Sequence, residues 1–164
     1  MVLNIKEKKI IISEIRKITK KSISIVVGET KYIKSNEINE LRKEARKSGV
    51  IIKIIRNTLF NIAIKDTNYE CLKNFISGPI LIAYSMEHPG SAARLLINFS
   101  KKNNNFKITN AVFEKKILTL SQIKKLSEIP TYKELIIKLL SVMKESSIGK
   151  LVRTLNNINK KNLN

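Results

Sequence analysis

The sequence predicts a layered α/β sandwich of about four strands, followed by one long amphipathic helix. Short β-branched runs alternate with segments whose apolar residues recur every three or four positions. Thr131 and Glu134 form a capping box directly after Pro130, and apolar spacing then continues to an Asn-rich end. The expected boundary therefore falls between a body, residues 1–129, and an extension, residues 130–164.

Leu3 to Lys20 reads as a helix, because Ile5, Ile11, Ile12, Ile15 and Ile18 recur among charges at helical steps. Ile23 to Val27 is a β-branched run ending at Gly28, an expected strand. Ser35 suits the N-cap of a helix to Ser48, stopped by Gly49, that buries Ile38, Leu41 and Ala45. Val50 to Ile55 is the second strand. Asn57 or Thr58 then caps a helix through Ile64, and a short helix follows around Cys71 to Phe75. Gly78-Pro79 turns the chain into a third strand, Ile80 to Tyr84. Pro89 opens a helix to about Lys102 that buries Ala92, Leu95, Leu96 and Phe99. Lys101 to Asn105 is a polar, low-complexity loop. Phe106 to Phe113 makes the fourth strand, with a turn at Lys115-Lys116, and Ser121 begins a short helix to Glu128.

The extension differs in kind. A helix from Thr131 to Ile158 would span about 42 Å. At about 100° per residue, Leu135, Ile136, Leu139, Val142 and Met143 share one face. Ile148, Leu151, Val152, Leu155 and Ile158 share another, about 140–150° away. One straight helix cannot lay both stripes on one surface. Either the chain kinks at Ser146-Ser147-Ile148-Gly149 and folds both halves onto the body, or each stripe is a separate seat for a partner's helices. Periodicity alone leaves the two equal, but exposed stripes require a partner.

The 164 residues carry 32 Lys and Arg against 13 Asp and Glu, a net charge of +19 and a pI near 10.1. Self-repulsion on this scale works against compactness, so a polyanionic partner is expected, and nucleic acid is the one that counterion release favours. Compositional drift toward Ile, Lys and Asn competes as the origin of some lysines, but drift alone rarely leaves the acidic side so thin. A hydrophobic fraction of 43% builds a real core, unlike a disordered basic tail.

Little points to catalysis. Cys71 is alone, which excludes an internal disulfide or a cysteine metal cage, and a single histidine, His88, leaves no His pair for zinc. There is no GxxxxGK[ST] loop or GxGxxG turn, and the carboxylates are isolated in a basic field. Cys71 with His88 as its base is the only imaginable nucleophile. Cys71 sits in an apolar run of the kind that buries free cysteines, and His88 suits a helix cap or a phosphate contact. No enzyme, metal or cofactor is expected. The N terminus lacks a signal peptide's apolar region and no stretch approaches the roughly 18 apolar residues of a membrane span, so a cytoplasmic location is expected.

The basic residues organise better. Arg42, Lys43, Arg46 and Lys47 crowd the end of one helix, Lys53 and Arg56 follow on the next strand, and Asn57-Thr58 opens the helix after it. An Arg beside a helix N terminus makes a phosphate site. The competing reading is a merely solvated charged face.

At this point a resemblance enters. VIIKIIRNTLFNIAI (Val50 to Ile64) resembles the strand–RNTL–helix signature of the bacterial large-subunit ribosomal stalk-base proteins, the tenth large-subunit protein family. ELRKEARKSGV (Glu40 to Val50), ECLKNFISGPILIAYSMEHPGSAARLL (Glu70 to Leu96) and IPTYKELIIKLLSVMKESSIGKLVRTL (Ile129 to Leu155) are similar to the same family, in order and at matching spacing.

The resemblance implies a ferredoxin-like α+β body that binds large-subunit ribosomal RNA at the GTPase-associated region, beside the eleventh large-subunit protein. It implies a C-terminal helix carrying dimers of the acidic stalk protein, which recruit translation GTPases, and a free form able to repress its own messenger RNA. Arg56, Asn57 and Thr58 match the RNTL signature and Gly78-Pro79 the family's GP turn. Arg42, Lys43, Arg46 and Lys53 are added on electrostatic grounds. Leu135, Leu139, Val142 and Met143 would form one dimer seat, and Leu151, Val152, Leu155 and Ile158 a second. Asn and Ile replace much of the Ala and Glu usual in such tails and are poorer helix formers. The alternative is a ribosome-assembly or messenger-turnover factor on the same body; it would lack a dimer-binding tail, and the two stripes argue against it.

Overall fold

The computed structural model describes residues 4–31, 33–65, 67–76, 78–103 and 105–162, except the side chains at 74, 75, 147, 148, 157 and 159–162. The expected helix start at Leu3 and the loop residue Asn104 lie outside the described residues, as does the side chain of Ile148. The chain divides into two compact units, Met1–Ile129 and Pro130–Asn164.

The first unit runs α1 (Ile5–Lys21), β1 (Ser24–Glu29), α2 (Ser35–Lys47), β2 (Val50–Ile54), α3 (Asn57–Ala63), a 3-10 helix (Glu70–Phe75), β3 (Ile80–Ser85), α4 (Gly90–Lys102), β4 (Lys107–Phe113), β5 (Lys116–Leu118) and α5 (Leu120–Glu128). The strands form one sheet in the order β2-β3-β1-β4-β5, with every neighbouring pair antiparallel. The crossovers β1-α2-β2 and β3-α4-β4 interleave, so β3 pairs between β2 and β1. That is the split βαβ plan of ferredoxin-like folds, and the expected α+β sandwich stands.

Helices cover both faces of the sheet. Val26, Leu81, Ala83 and Ala111 pack against Leu41 and Ala45 of α2, Leu96 and Phe99 of α4, and Ile123 and Leu126 of α5. Ile25, Val27, Ile80, Ile82, Tyr84 and Val112 pack on the other side against Ile15 of α1 and Phe60, Ala63 and Ile64 of α3. All six residues of β3 are buried. Double coverage explains why the two central strands read as unbroken apolar runs and not as alternation. Burial pushes the Tyr84 phenol up from its ordinary value, partly offset by the Thr19 hydroxyl. It is a core group and bears on stability.

Several local expectations are corrected. A fifth strand, β5, pairs with the end of β4 through a tight turn at Glu114 and Lys115 with φ of 50° and 65°. Two consecutive positive φ values are the demand of a primed hairpin turn, usually met by Asn or Gly, so Glu-Lys concealed it. Gly28 does not end β1 but lies within it, at a register shift against β4. Lys34 holds the α2 cap position without a side-chain bond, and Ser35 is the first helical residue. Asn4 and Glu7 cap α1 reciprocally, with Asn4 Oδ1 accepting from the Ile5 amide at 2.8 Å and Glu7 Oε2 from the Asn4 amide at 3.0 Å. Thr119 with Gln122 does the same for α5, which therefore starts at Leu120 and not Ser121.

The second unit is α6 (Tyr132–Lys144), a π turn (Glu145–Gly149) and α7 (Lys150–Asn162). Its expected capping box is present: Glu134 Oε2 accepts from the Thr131 amide at 3.0 Å. The backbone between the two stripes is a wide helical turn at the segment where a kink was one expectation, and α6 buries no residue.

Gly28 gives the fold a sharp test. A Cβ there would stand 2.4 Å from Phe106 Cζ, and Phe106 is itself fully buried and edge-on to Phe99 at 5.2 Å. Gly28→Ala is expected to destabilise the protein by about 1–3 kcal/mol, read as a lower urea midpoint at unchanged slope. In Phe106→Leu, which removes the clashing ring, the added cost of Gly28→Ala should shrink. An unchanged midpoint for Gly28→Ala alone would refute this packing.

Candidate nucleic-acid interface

The antiparallel register places the two sequence signatures side by side. β1 pairs β3 from Ser24↔Ser85 to Glu29↔Ile80, so Thr30 follows β1 next to the Pro79 that precedes β3. Thr30 donates to the Pro79 carbonyl twice, from its amide at 3.0 Å and its hydroxyl at 3.2 Å. From α3, the Asn57 side-chain amide donates to the Gly78 carbonyl at 2.9 Å. One hydrogen bond therefore ties the RNTL segment to the GP turn across 21 residues. Gly78 has φ of +74°, a left-handed conformation in which a side chain is strained.

This pairing corrects the expected cap. Arg56, not Asn57 or Thr58, occupies the N-cap of α3, its carbonyl accepting from the Leu59 and Phe60 amides at 3.0 and 3.1 Å. Asn57 is committed to the turn instead. Arg56, Thr58, Gly78 and Pro79 are exposed. Lys31 belongs to the same cluster: its Cε lies 3.6 Å from where a Gly78 Cβ would stand. Only the β1–β3 register brings Lys31 there, so no local pattern in the sequence flagged it.

The remaining cations occupy different places. Leu41 and Ala45 turn α2 inward, leaving Arg42, Lys43 and Arg46 exposed on its outer side. Lys53 shares its side of β2 with Ile51 and Ile55, which pack in the α1/α3 layer, whereas Ile52 packs in the α2/α4 layer. Lys53 thus projects from the sheet face opposite α2. Among the described residues, none of Arg42, Lys43, Arg46, Lys53 and Arg56 makes an ion pair, whereas the neighbouring Glu44 takes Lys102 at 3.2 Å. The nine sequence candidates form a turn cluster around Gly78, a row on α2, and Lys53 on the edge strand β2.

Cys71 and His88 make their recorded contacts with different elements. Cys71 is exposed on the 3-10 helix with its Sγ 4.0 Å from the Lys115 carbonyl, contrary to the expectation that it is buried. His88 Nδ1 accepts from the Gly90 amide at 3.1 Å at the start of α4, one of the two roles expected of it.

The partner-side candidates all lie on the second unit. Leu135, Leu139, Val142 and Met143 are exposed on α6, and Leu151, Val152, Leu155 and Ile158 on α7; Leu139 is 60% exposed and Leu151 64%. Residues 130–164 hold seven Lys and Arg against two Glu, so these stripes run through a basic surface. Among the described residues, no helix is long and apolar enough to cross a membrane.

A split βαβ domain with surface cations that make no ion pair among the described residues, joined in one chain to a helical unit with exposed apolar stripes, has the make-up of a binding scaffold. Residues 3–101 match the family described as ribosomal protein L10. The chain is 51% identical over 161 residues to the large ribosomal subunit protein uL10 of Buchnera aphidicola subsp. Acyrthosiphon pisum, covering 98% of each chain. It is 52% identical over 158 residues to that of Buchnera aphidicola subsp. Baizongia pistaciae and 46% identical over 155 residues to that of Escherichia coli O1:K1 / APEC, covering 94% of each chain in both cases. The chain belongs to the ribosomal protein L10 family, whose members are structural and not catalytic.

The Asn57–Gly78 bond is testable by stability. Asn57→Ala leaves the Gly78 carbonyl to solvent and is expected to cost about 1 kcal/mol, a clear drop in urea midpoint. Thr58→Ala, which removes no such bond, should stay close to wild type. Equal midpoints for the two variants would contradict a bracing role for Asn57.

Proposed function

We propose that this chain is a structural component of the large ribosomal subunit, in the cytoplasm, joining ribosomal RNA to an acidic stalk. Its first unit grips large-subunit RNA at the GTPase-associated region, beside the eleventh large-subunit protein. Its second unit holds two dimers of the acidic stalk protein, through which translation GTPases are recruited. The observation that carries this reading is the second unit: among its described residues twelve large apolar side chains, the eight seat candidates included, stand exposed on a basic helical segment. Burying each against a partner is worth about 1.5–3 kcal/mol, and the surrounding cations favour an acidic one. Family membership supports the ribosomal setting, since the relatives are named as large-subunit proteins.

On the RNA side, Arg56, Thr58 and Lys31 around the Gly78-Pro79 turn supply one group of phosphate contacts, with Asn57 holding the turn in place. Arg42, Lys43 and Arg46 supply a second from α2, and Lys53 a third from the edge strand. Phosphate contacts of this kind fix position without reading bases. The second unit also separates this reading from an assembly or messenger-turnover factor, which needs no apolar seats.

The two halves are separable by mutation. Arg56→Ala should weaken RNA binding several-fold and lower the slope of log affinity against log salt by about 0.7–0.9, one phosphate's share, with stalk-protein binding intact. Leu151→Asp should remove one acidic dimer of two in native mass spectrometry and leave RNA affinity unchanged. A salt slope near zero in the wild type, or loss of both dimers or neither in Leu151→Asp, would contradict the proposal.

A further inference from the structure

The π turn at Glu145–Gly149 lies between the two apolar stripes and changes the geometric relation between them. An i→i+5 closure spends about one extra residue on a turn. Every residue beyond it is therefore held back by about 100° relative to an uninterrupted α-helix. The stripes, about 140–150° apart on an ideal helix, come to lie about 40–50° apart. Leu139 and Leu151 are then about 17 Å apart along the axis and only about 20° apart around it.

An ion pair bears independently on this geometry. Arg153 Nη2 donates to Glu145 Oε1 across eight residues. In an unbroken α-helix such residues stand about 80° apart around the axis; with the π turn the angle falls to about 20°. Glu145 opens the wide turn and Arg153 lies on the first turn of α7, so the pair clasps the turn from end to end. The local sequence suits it: Ser146, Ser147 and Gly149 are poor α-formers, and Ser/Gly pairs and π bulges are where helices depart from regularity.

We infer that the π turn is a phase-setting element that brings the two apolar stripes onto one side of the C-terminal unit, so that its two acidic partners dock as neighbours and not on opposite sides. The inference rests on the stalk-anchoring reading and adds to it the azimuth between the seats. The occupant is an acidic partner that presents an amphipathic helix to each stripe. The seven Lys and Arg against two Glu over residues 130–164 give the unit the complementary charge. Partner helices pack about 8–10 Å from the axis they contact. At that radius, seats about 45° apart bring two partners closer together than seats about 150° apart at the same spacing along the axis.

Deleting Ser146 from the full-length chain tests the inference. One residue fewer converts the wide turn to a regular α turn and leaves the α7 stripe at the same azimuth, because the π turn had already absorbed one residue's rotation of about 100°. If the turn did not set the phase, the deletion would swing the stripe by about 100°. The probe is the acidic stalk protein with a single spin label per dimer, its bound copies counted by native mass spectrometry and their separation measured by pulsed electron paramagnetic resonance. Wild type and the deletion variant should each retain two dimers, at the same short separation. Two dimers whose separation differs between the two proteins by at least several ångströms would overturn the phase role while leaving the anchoring reading intact. Loss of one dimer in the deletion variant would place the turn inside a seat and overturn a purely rotational role. Failure of the wild type to retain any dimer would overturn the anchoring reading and this inference with it.

Discussion

Apolar side chains that stand in water on their own helix govern how this protein has to work. Leu139, Leu151 and Leu155 are each about as exposed as a surface residue, although each is of the type that folding normally buries. A helix can hold such residues in the open because its backbone bonds are satisfied locally, but the exposed area then becomes a driving force for association. In a chain with a net charge of +19, that association is steered toward acidic partners.

The first unit answers the opposite problem. It must hold excess positive charge on its surface without unfolding, and it does so with a core that needs no charged residue. β1 and β3 are covered on both faces, and Phe106 fills the space that Gly28 leaves. Two of the buried polar groups serve as fastenings: Ser24 Oγ donates to the Pro89 carbonyl at 2.8 Å, and Tyr69 OH to the Ser22 carbonyl at 2.7 Å. With the core closed in this way, Arg42, Lys43, Arg46, Lys53 and Arg56 remain at the surface with no anionic partner among the described residues. The asymmetry between a well-covered interior and unpaired surface cations is what a phosphate-rich partner requires.

Most of the element plan was legible in the sequence because it is local. Gly49 at φ +65° ends α2 as expected, and the Thr131–Glu134 box starts α6 as expected. Each is decided within four residues. β5 escaped because Glu114 and Lys115 adopt positive φ without Gly or Asn to announce it. Gly28 misled because a glycine inside a strand can be explained only by the ring that covers it, and Phe106 is 78 positions away in the chain. The turn cluster was half visible: its two motifs were noted separately, while the Asn57–Gly78 bond and the approach of Lys31 depend on strand register. The phase mismatch in the tail was readable from spacing alone. Its resolution by a π turn was not, because that is a choice among backbone hydrogen bonds and not among side chains.

The central claim is a division of labour within one chain, and counting partners tests it most directly. The full chain and a version ending at Ile129 would each be mixed with the acidic stalk protein and weighed intact by native mass spectrometry, with binding to large-subunit RNA measured in parallel. The account predicts two acidic dimers on the full chain, none on the shortened one, and similar RNA affinity for both. Acidic dimers retained by residues 1–129 would contradict it.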